Sequence, residues 1–280
     1  MPGLILEGGT FRPIFSCGVM DALLAHDLMC DYVIGVSAGI TDGFSYVSRQ
    51  SGRNLEIAQR YRNDKRYLSP GNYLKCRSIF GLDFVFDTIP NELLPFDWDT
   101  FRAYKGRILV GVTNAETGVC EYLDGRELDE KCTMLRATCS LPIYFPPARI
   151  GGKIYYDGGI SDSIPIRKAL SDGSQKNLII LTQPKGYRKA IKRRDHIAAA
   201  ALRYKYPAMS EAIMNRPKMY NDTVCFCEHL AAYQPNNTVI LQPETPIASF
   251  ESDVGKLTAA YNEGYRLAEA RMDEIRQLFD

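Results

Sequence analysis

A serine in a glycine-flanked pentapeptide is the first feature of this sequence that suggests chemistry. Ser37 is the centre of Gly35–Gly39, which has the pattern G-x-S-x-G and follows a short apolar run. Between a strand and a helix, this pattern is typical of a nucleophile elbow, whose tight turn projects the serine Oγ at the helix N-terminus. A tight turn in which Gly35 and Gly39 serve only packing is an equally good interpretation of the pentapeptide alone.

A glycine-rich turn near the N-terminus is the second candidate element. Gly8 and Gly9 follow an apolar run, and Thr10 and Arg12 come directly after them. Successive glycines let backbone N–H groups converge on one anion, and beside a nucleophile such a nest is an oxyanion hole. Turns that follow parallel strands share one edge of the sheet, so this turn would lie beside Ser37 if the two strands are neighbours. The alternative is a dinucleotide or phosphate loop, but the fingerprints of both are missing.

The third requirement is a base that takes the proton of the serine. The sequence has three histidines, none of them in a recognisable motif: His26, His196 and His229. Asp157 is the other candidate, because it ends a short strand-like run and is followed by Gly158 and Gly159. Two glycines allow close approach to another loop, although an ordinary Asp-Gly turn is the commoner origin of this dipeptide.

Together, the order and spacing of these three segments resemble those of the patatin-like phospholipase family. That family has a glycine-rich loop ending in Arg, then a G-x-S-x-G elbow, then an Asp-Gly-Gly or Asp-Gly-Ala motif. The resemblance covers roughly Leu4–Leu181, and Pro184–Lys189 is similar to a stretch in bacterial members. It implies a three-layer α/β/α fold with a mostly parallel central sheet. It also implies a serine hydrolase of lipid acyl esters, of the phospholipase A, lysophospholipase or acylesterase type.

The resemblance assigns the catalytic roles to a Ser-Asp dyad that needs no histidine, metal or cofactor. Ser37 would be the nucleophile and Asp157 the general base, with Gly35, Gly39 and Gly158–Gly159 as supporting motif glycines. An aspartate with the ordinary pKa of about 3.9 is a poor base at neutral pH. We therefore expect burial beside Ser37 to raise the pKa of Asp157.

The resemblance also assigns the oxyanion hole. Gly8, Gly9 and Thr10 would supply its N–H groups, and Arg12 would steady the loop or the developing charge. The sequence departs from the family pattern at two positions, since Thr10 replaces the usual third glycine and Pro13 replaces a glycine after the arginine. Threonine keeps the N–H but lacks the freedom of glycine at positive φ. We expect the hole to survive both changes.

Hydrophobic patterning predicts the elements that position these residues. Strands are predicted at Leu4–Leu6, Tyr32–Ile34, Arg107–Asn114, Val119–Leu123, Lys153–Tyr156, Leu178–Thr182 and Thr238–Leu241. Helices are predicted at Ile14–Ala25, Ala38–Val47, Leu55–Asn63, Glu127–Thr138, Ile166–Leu170, Ile191–Tyr204 and Asp253–Leu278. The opening β-α-β-α rhythm favours a parallel sheet covered by helices. We expect a single domain over residues 1–280, with a helical C-terminal part over 187–280.

The composition indicates a globular protein of near-neutral charge. The 280 residues include 34 Lys plus Arg and 33 Asp plus Glu, a net charge of +1. Nucleic-acid-binding domains usually carry a strong basic excess, so no nucleic-acid partner is expected. The N-terminus lacks the pattern of a signal peptide, no apolar run is long enough to span a membrane, and the eight cysteines include no CxxC pair. We therefore expect a cytoplasmic protein with reduced thiols.

Three segments have both a functional and a purely structural interpretation. Lys185–Lys205 carries eight basic residues against one acid, which suits either peripheral contact with anionic lipid at the inner membrane face or a solvated helix. The aromatic run Ile79–Phe101 would be an acyl-chain wall or, more commonly, ordinary core. Cys225–His229 offers three metal-type ligands with no second cluster, so a structural role is expected.

The leading hypothesis is thus a serine esterase acting on lipid esters. A small-ester esterase or an acyltransferase would use the same residues. A catalytically weak lipid-binding or regulatory protein on the same fold is the alternative from another class, and the departures at Thr10 and Pro13 are its only support. Labelling of Ser37 by a fluorophosphonate separates these two classes.

Overall fold

A mixed, mostly parallel sheet forms the centre of the computed structural model, which describes residues 2–280. Its strands are β1 (Pro2–Leu6), β2 (Tyr32–Val36), β3 (Arg107–Asn114), β4 (Cys120–Asp124), β5 (Ala148–Ile150), β6 (Lys153–Asp157), β7 (Lys176–Ile180) and β8 (Thr238–Leu241). The spatial order is β5-β6-β3-β2-β1-β7-β8, and β4 pairs with β3. Strands β3, β2, β1, β7 and β8 are parallel, whereas β4, β5 and β6 form antiparallel pairs.

Helices follow most strands. They are α1 (Ile14–Ala25), α2 (Ser37–Val47), α3 (Arg53–Tyr61), α4 (Pro70–Cys76), α5 (Trp98–Ala103), α6 (Thr133–Thr138), α7 (Ile166–Ser171), α8 (Arg193–Leu202), α9 (Pro207–Tyr233), α10 (Val254–Ala270) and α11 (Met272–Arg276). A π-helical segment spans Phe84–Leu93. No helix within residues 2–280 has both the length and the apolar character of a membrane span.

The sheet is buried on both faces, which explains the uninterrupted apolar sequence of its parallel strands. Leu4 and Leu6 of β1 pack in a cluster with side chains of α1, α2 and α10. Ile5, between them, packs in a second cluster with side chains of α7 and α9 on the opposite face. This alternation confirms the predicted α/β fold with a mostly parallel central sheet and helices on both sides.

The register of the strands brings the candidate residues to one edge of the sheet. Strands β1 and β2 are parallel neighbours with Leu6 opposite Gly35, so the turns after both strands lie together. Strand β6 runs antiparallel to β3 and places Asp157 opposite Val112. Val36, at the end of β2, pairs with the preceding residue of β3. Asp157 therefore reaches the end of β2, where Ser37 begins α2.

Several predicted elements differ from the structure. The helix predicted at Glu127–Thr138 is confined to α6, because Cys132 has a left-handed φ of 52° before it. The helix predicted at Asp253–Leu278 is divided at Arg271, where φ is −116°. Strand β7 ends at Ile180 rather than at Thr182.

The longest helix, α9, has no counterpart among the individual helices predicted, although it lies in the C-terminal part that is expected to be helical. It has 27 residues and contains Pro217 in its interior. Proline cannot donate the helical hydrogen bond and usually ends or kinks a helix, so the sequence indicates a break at this position. The helix continues because residues on both sides of the proline, including Met209, Ile213, Tyr220 and Val224, are buried on the body of the protein.

Candidate active site

The turn that carries Ser37 has the geometry of a nucleophile elbow. Ser37 follows β2 directly, starts α2 and has a φ of 53°. A Cβ on Gly35 would lie 2.8 Å from the Cβ of Leu6, and one on Gly39 would lie 2.4 Å from the carbonyl oxygen of Glu7. Both glycines therefore allow the elbow to pack against the end of β1. The serine N–H donates to Thr138 Oγ1 at 2.8 Å, which fixes the turn from the other side.

Asp157 lies within hydrogen-bond distance of this serine. Ser37 Oγ donates to Asp157 Oδ2 at 2.7 Å, and Gly159 N–H donates to Oδ1 at 2.8 Å. A Cβ on Gly158 would lie 2.1 Å from the carbonyl oxygen of Gly111, so only glycine fits between Asp157 and β3. The structure thus brings together the two motif segments that are far apart in sequence.

The carboxylate of Asp157 is buried together with the serine. Ser37 is 7% exposed and Asp157 is 1% exposed. Burial raises the pKa of Asp157, and the positive charge of Arg216 is the largest opposing influence. The hydrogen bonds from Ser37 and Gly159 also lower this pKa. The result is a carboxylate of increased basicity that accepts a hydrogen bond from a serine hydroxyl.

The glycine-rich turn lies directly beside the serine. A Cβ on Gly8 would lie 2.8 Å from Ser37 Cβ, which requires glycine at this position. Among residues 2–280, the backbone N–H groups of Gly8, Gly9 and Thr10 donate to no backbone or side-chain acceptor. Thr10 adopts a left-handed φ of 60°, a conformation that is unfavourable for a β-branched residue. Threonine therefore follows the loop path that a glycine would take.

The side chain of Arg12 stabilises the glycine-rich turn through several contacts. Its Nε donates to Thr182 Oγ1 at 3.3 Å, its Nη1 donates to Ser249 Oγ, and its guanidinium lies against Gly9. Thr182 Oγ1 in turn donates to the carbonyl oxygen of Gly8 at 3.1 Å. Pro13, with φ of −60°, is the residue before α1, where the missing N–H breaks no helical hydrogen bond.

Ser37 lines two cavities of different character. The first, about 130 Å³, has polar and apolar groups in its wall in similar measure. We call it the polar cavity because its wall joins Gly8, Gly9, Ser37 and Asp157 with five cationic side chains: Arg12, Lys189, Lys192, Arg194 and Arg216. The second, about 120 Å³, is mostly apolar and is also lined by Ser37, with Phe11, Ala58, Phe80, Val85, Phe86, Phe145 and Leu257. The aromatic run Ile79–Phe101 contributes to this apolar wall through Phe80, Val85 and Phe86.

The histidines and the cysteine-histidine segment lie elsewhere. No histidine belongs to the described lining of either cavity. His26 contacts Glu269, and His229 Nδ1 lies 2.8 Å from the carbonyl oxygen of Cys225 on the same helix. Residues 2–280 contain no group of three or more His, Cys, Asp or Glu side chains arranged to hold a metal ion.

Residues from outside the three motifs complete the site. Thr138 fixes the elbow, Ser249 fixes the glycine-rich turn, and Arg216 lies near Asp157. Thr138, Ser249 and Arg216 lie in no recognisable sequence pattern, and Arg216 lies next to the proline that argues against a helix. Lys189 belongs to the basic segment Lys185–Lys205, for which membrane contact is one of the two interpretations, but it lines the polar cavity.

Comparison with known protein families identifies the fold. The family model described as Patatin-like phospholipase matches residues 4–170. The chain belongs to the patatin-like phospholipase family. This match includes the glycine-rich turn, the elbow and the Asp-Gly-Gly motif. A second family model, described as a domain of unknown function (DUF6363), matches residues 206–280.

Two curated relatives share part of the sequence. The uncharacterized protein YjjU of Escherichia coli is 26% identical over 189 residues, which are 65% of this chain and 52% of that protein. Lysophospholipase NTE1 of Debaryomyces hansenii is 25% identical over 181 residues, which are 62% of this chain and 11% of that protein. The chain thus matches about half of one relative and a small part of the other.

A solved structure, that of VipD from Legionella pneumophila, has a similar chain path. The two chains align over 97% of this chain and 66% of the VipD chain, with a TM-score of 0.46 and 15% sequence identity.

Proposed function

We propose that this patatin-like protein is a serine acyl hydrolase of lipid esters that uses Ser37 and Asp157 as a catalytic dyad. The buried 2.7 Å hydrogen bond between Ser37 Oγ and Asp157 Oδ2 is the observation that carries the proposal. Family membership and the relative named as a lysophospholipase support lipid hydrolysis in general. The apolar cavity beside Ser37 is suited to an acyl chain.

The proposed reaction is acyl transfer to water in two steps. Ser37 Oγ attacks the ester carbonyl while Asp157 accepts the serine proton, and the alcohol leaves with that proton. Water then attacks the acyl-serine while Asp157 accepts one of its protons. The bond between the acyl carbon and Ser37 Oγ breaks, the acid is released, and the proton passes from Asp157 to Ser37 Oγ. In both steps the N–H groups of Gly8, Gly9 and Thr10 would stabilise the oxyanion, because they have no other acceptor among residues 2–280.

Replacement of either dyad residue tests this proposal. We expect Ser37→Ala and Asp157→Asn to lower kcat/KM for a short-chain ester by about a thousandfold or more. Ser37→Ala should also abolish labelling by a fluorophosphonate. Hydrolysis of the ester and mass analysis of the labelled peptide are the measurements.

Two variants control for effects on the fold. Ser45→Ala removes another buried hydroxyl of α2, and Asp162→Asn removes a half-buried carboxyl group outside both cavities. Both should retain labelling and turnover. Retained turnover in folded Asp157→Asn protein would contradict the dyad, and a wild-type protein that does not react at Ser37 would favour a lipid-binding role.

We also propose that the basic segment contacts anionic membranes. Helix α8 and its flanks present exposed basic side chains, including Lys192 and Arg194 at the mouth of the polar cavity. Exposed apolar side chains accompany them, with Ile197 53% exposed and Tyr204 85% exposed. Basic and apolar side chains together suit the surface of an anionic bilayer.

Vesicle sedimentation tests this membrane contact. Wild-type protein should bind phosphatidylglycerol vesicles more strongly than phosphatidylcholine vesicles, and salt should weaken the binding. Ile197→Ser with Arg203→Gln should reduce the bound fraction without affecting hydrolysis of a water-soluble ester. Equal binding of both proteins to both vesicle types would contradict the proposal.

A further inference from the structure

Two cations from the C-terminal part of the chain lie at the polar cavity beside the dyad. Arg216 is on α9, and Lys189 is in the segment before α8; both line this cavity. A Cβ on Gly159 would lie 3.4 Å from Arg216 Nη2 and 3.0 Å from Asp157 Oδ1. The guanidinium thus reaches the backbone next to the proposed general base.

Arg216 is half-buried on α9, and part of its guanidinium has no hydrogen-bond partner within residues 2–280. Its Nε is shielded from solvent and donates no hydrogen bond within residues 2–280. Burial lowers the pKa of Arg216, and Asp157 is the largest opposing influence. A buried N–H donor without an acceptor is unfavourable, and the guanidinium carries further donors in the same plane. An anion in the cavity would satisfy them.

Lys189 is a second, half-buried cation at the same place. Its backbone N–H donates to Asn221 Oδ1 at 2.7 Å, and Asn221 Nδ2 donates to its carbonyl oxygen at 3.0 Å. Its ammonium lies 4.2 Å from the ring centre of Tyr220. Burial and the charge of Arg216 lower the pKa of Lys189. Helix α9 therefore supplies one cation and fixes the backbone of the other.

The carboxylates of the cavity are already engaged by other groups. Asp157 accepts from Ser37 and Gly159. Glu7 accepts from the N–H of Thr182 at 2.7 Å. Asp195 accepts from the N–H of Lys192 at the start of α8. Together with the five cations in its wall, these three acids leave the cavity with a positive excess.

From this arrangement we infer that Arg216 and Lys189 form a phosphate-binding subsite next to Ser37. Arginine offers paired N–H donors that match two phosphate oxygens, and lysine adds a point charge. The subsite would select esters that carry a phosphate near the scissile bond, and to that extent the inference rests on the proposed function. Free phosphate would be bound by the same chemistry.

Matched substrates and variants test the subsite. The substrates are a short-chain monoacylglycerol and its phosphate monoester with the same acyl chain. We expect wild-type protein to have the higher kcat/KM for the phosphate ester, and Arg216→Gln to lower that preference by about tenfold to a hundredfold. Lys189→Gln should act in the same direction. Lys218→Gln, which removes an exposed charge of α9 outside both cavities, should leave the preference unchanged.

Binding of inorganic phosphate to Ser37→Ala protein, measured by calorimetry, separates this inference from the proposed function. If no ester is hydrolysed but phosphate binds and Arg216→Gln abolishes binding, the subsite stands and the hydrolase proposal fails. If phosphate binds but the two esters react equally well, the subsite serves a free anion. Absence of phosphate binding together with equal kcat/KM for the two esters in folded, active protein would overturn the subsite.

Discussion

At the scale of single residues, the properties of Asp157 result from its surroundings and not from its sequence motif alone. The motif places an aspartate beside Ser37, whereas burial raises its pKa and Arg216 opposes that shift. The sequence therefore predicts which carboxyl group lies beside Ser37, but it does not predict the cation that lowers the pKa of this group. Arg216 is 59 positions away along the chain, and no local pattern connects the two.

The opposing effects on Asp157 give a prediction for the pH dependence of hydrolysis. As the proposed base, Asp157 would act only when deprotonated, so kcat/KM should be lost as pH falls through its raised pKa. Arg216→Gln removes the largest influence that lowers this pKa, so the acidic limb of the profile should move to higher pH. The pH–rate profile of a neutral ester is the measurement.

Titration of Asp42 would also change the pH–rate profile, so its contribution must be separated from that of Asp157. It lines the apolar cavity, and burial raises its pKa to about 7. Both profiles are therefore repeated in an Asp42→Asn background, and Arg203→Gln serves as the charge control. An acidic limb that stays in place in Arg216→Gln, or moves to lower pH, would contradict the assignment of Asp157 as the base.

At the scale of elements, the strands that carry the motifs are the part that the sequence predicts well. Strands β1 and β2 and helices α1 and α2 have strong local signals, because apolar runs end at glycine-rich turns. The sequence does not predict helix α9, because Pro217 interrupts the helical pattern. The helix forms because side chains on both sides of the proline are buried against the rest of the protein. The local signal thus specifies the catalytic edge of the sheet, and long-range packing decides what covers it.

The crossing of α1 and α10 gives a prediction in which packing and helix propensity have opposite effects. A Cβ on Gly18 would lie 1.9 Å from the carbonyl oxygen of Tyr261, so Gly18→Ala must separate the helices. We expect it to lower the free energy of unfolding by about 2 kcal/mol or more, as overpacked cores do. Denaturant unfolding followed by circular dichroism is the measurement.

Gly71→Ala is the matched control for this substitution. Gly71 is an exposed glycine of α4, and the nearest atom to an added Cβ would be 3.7 Å away. There, alanine should be neutral or should stabilise by up to about 1 kcal/mol, since it has the higher helix propensity. Equal effects of the two substitutions would show that the contact between α1 and α10 is looser than the structure indicates.

At the scale of the whole molecule, the segment beyond the patatin match is part of the site. The matched family segments are 4–170 and 206–280. Within the second, the carbonyl oxygen of Ser249 accepts from the N–H of Phe11, and the carbonyl oxygens of Phe250 and Glu251 accept from Arg62. Strand β8 extends the sheet beside β7, and α10 covers α1. We therefore propose that the two segments fold as one unit.

This dependence predicts coincident unfolding of the two segments. Trp98 is the single tryptophan and reports on the first segment, and the exposed thiol of Cys225 can carry a fluorescent label in the second. Both signals should change at the same denaturant concentration, as expected for one cooperative transition. Two separated transitions would contradict a single folding unit.

Removal of residues 206–280 is the complementary test. It exposes the apolar face of α1, leaves β7 unpaired on the side away from β1 and frees the N–H of Phe11 behind the glycine-rich turn. We expect the fragment 1–205 to aggregate and to lose fluorophosphonate labelling at Ser37, since a large apolar surface loses its cover. Co-expression with 206–280 should restore labelling. A soluble 1–205 fragment labelled as fast as the full chain would show that the patatin segment builds the site alone.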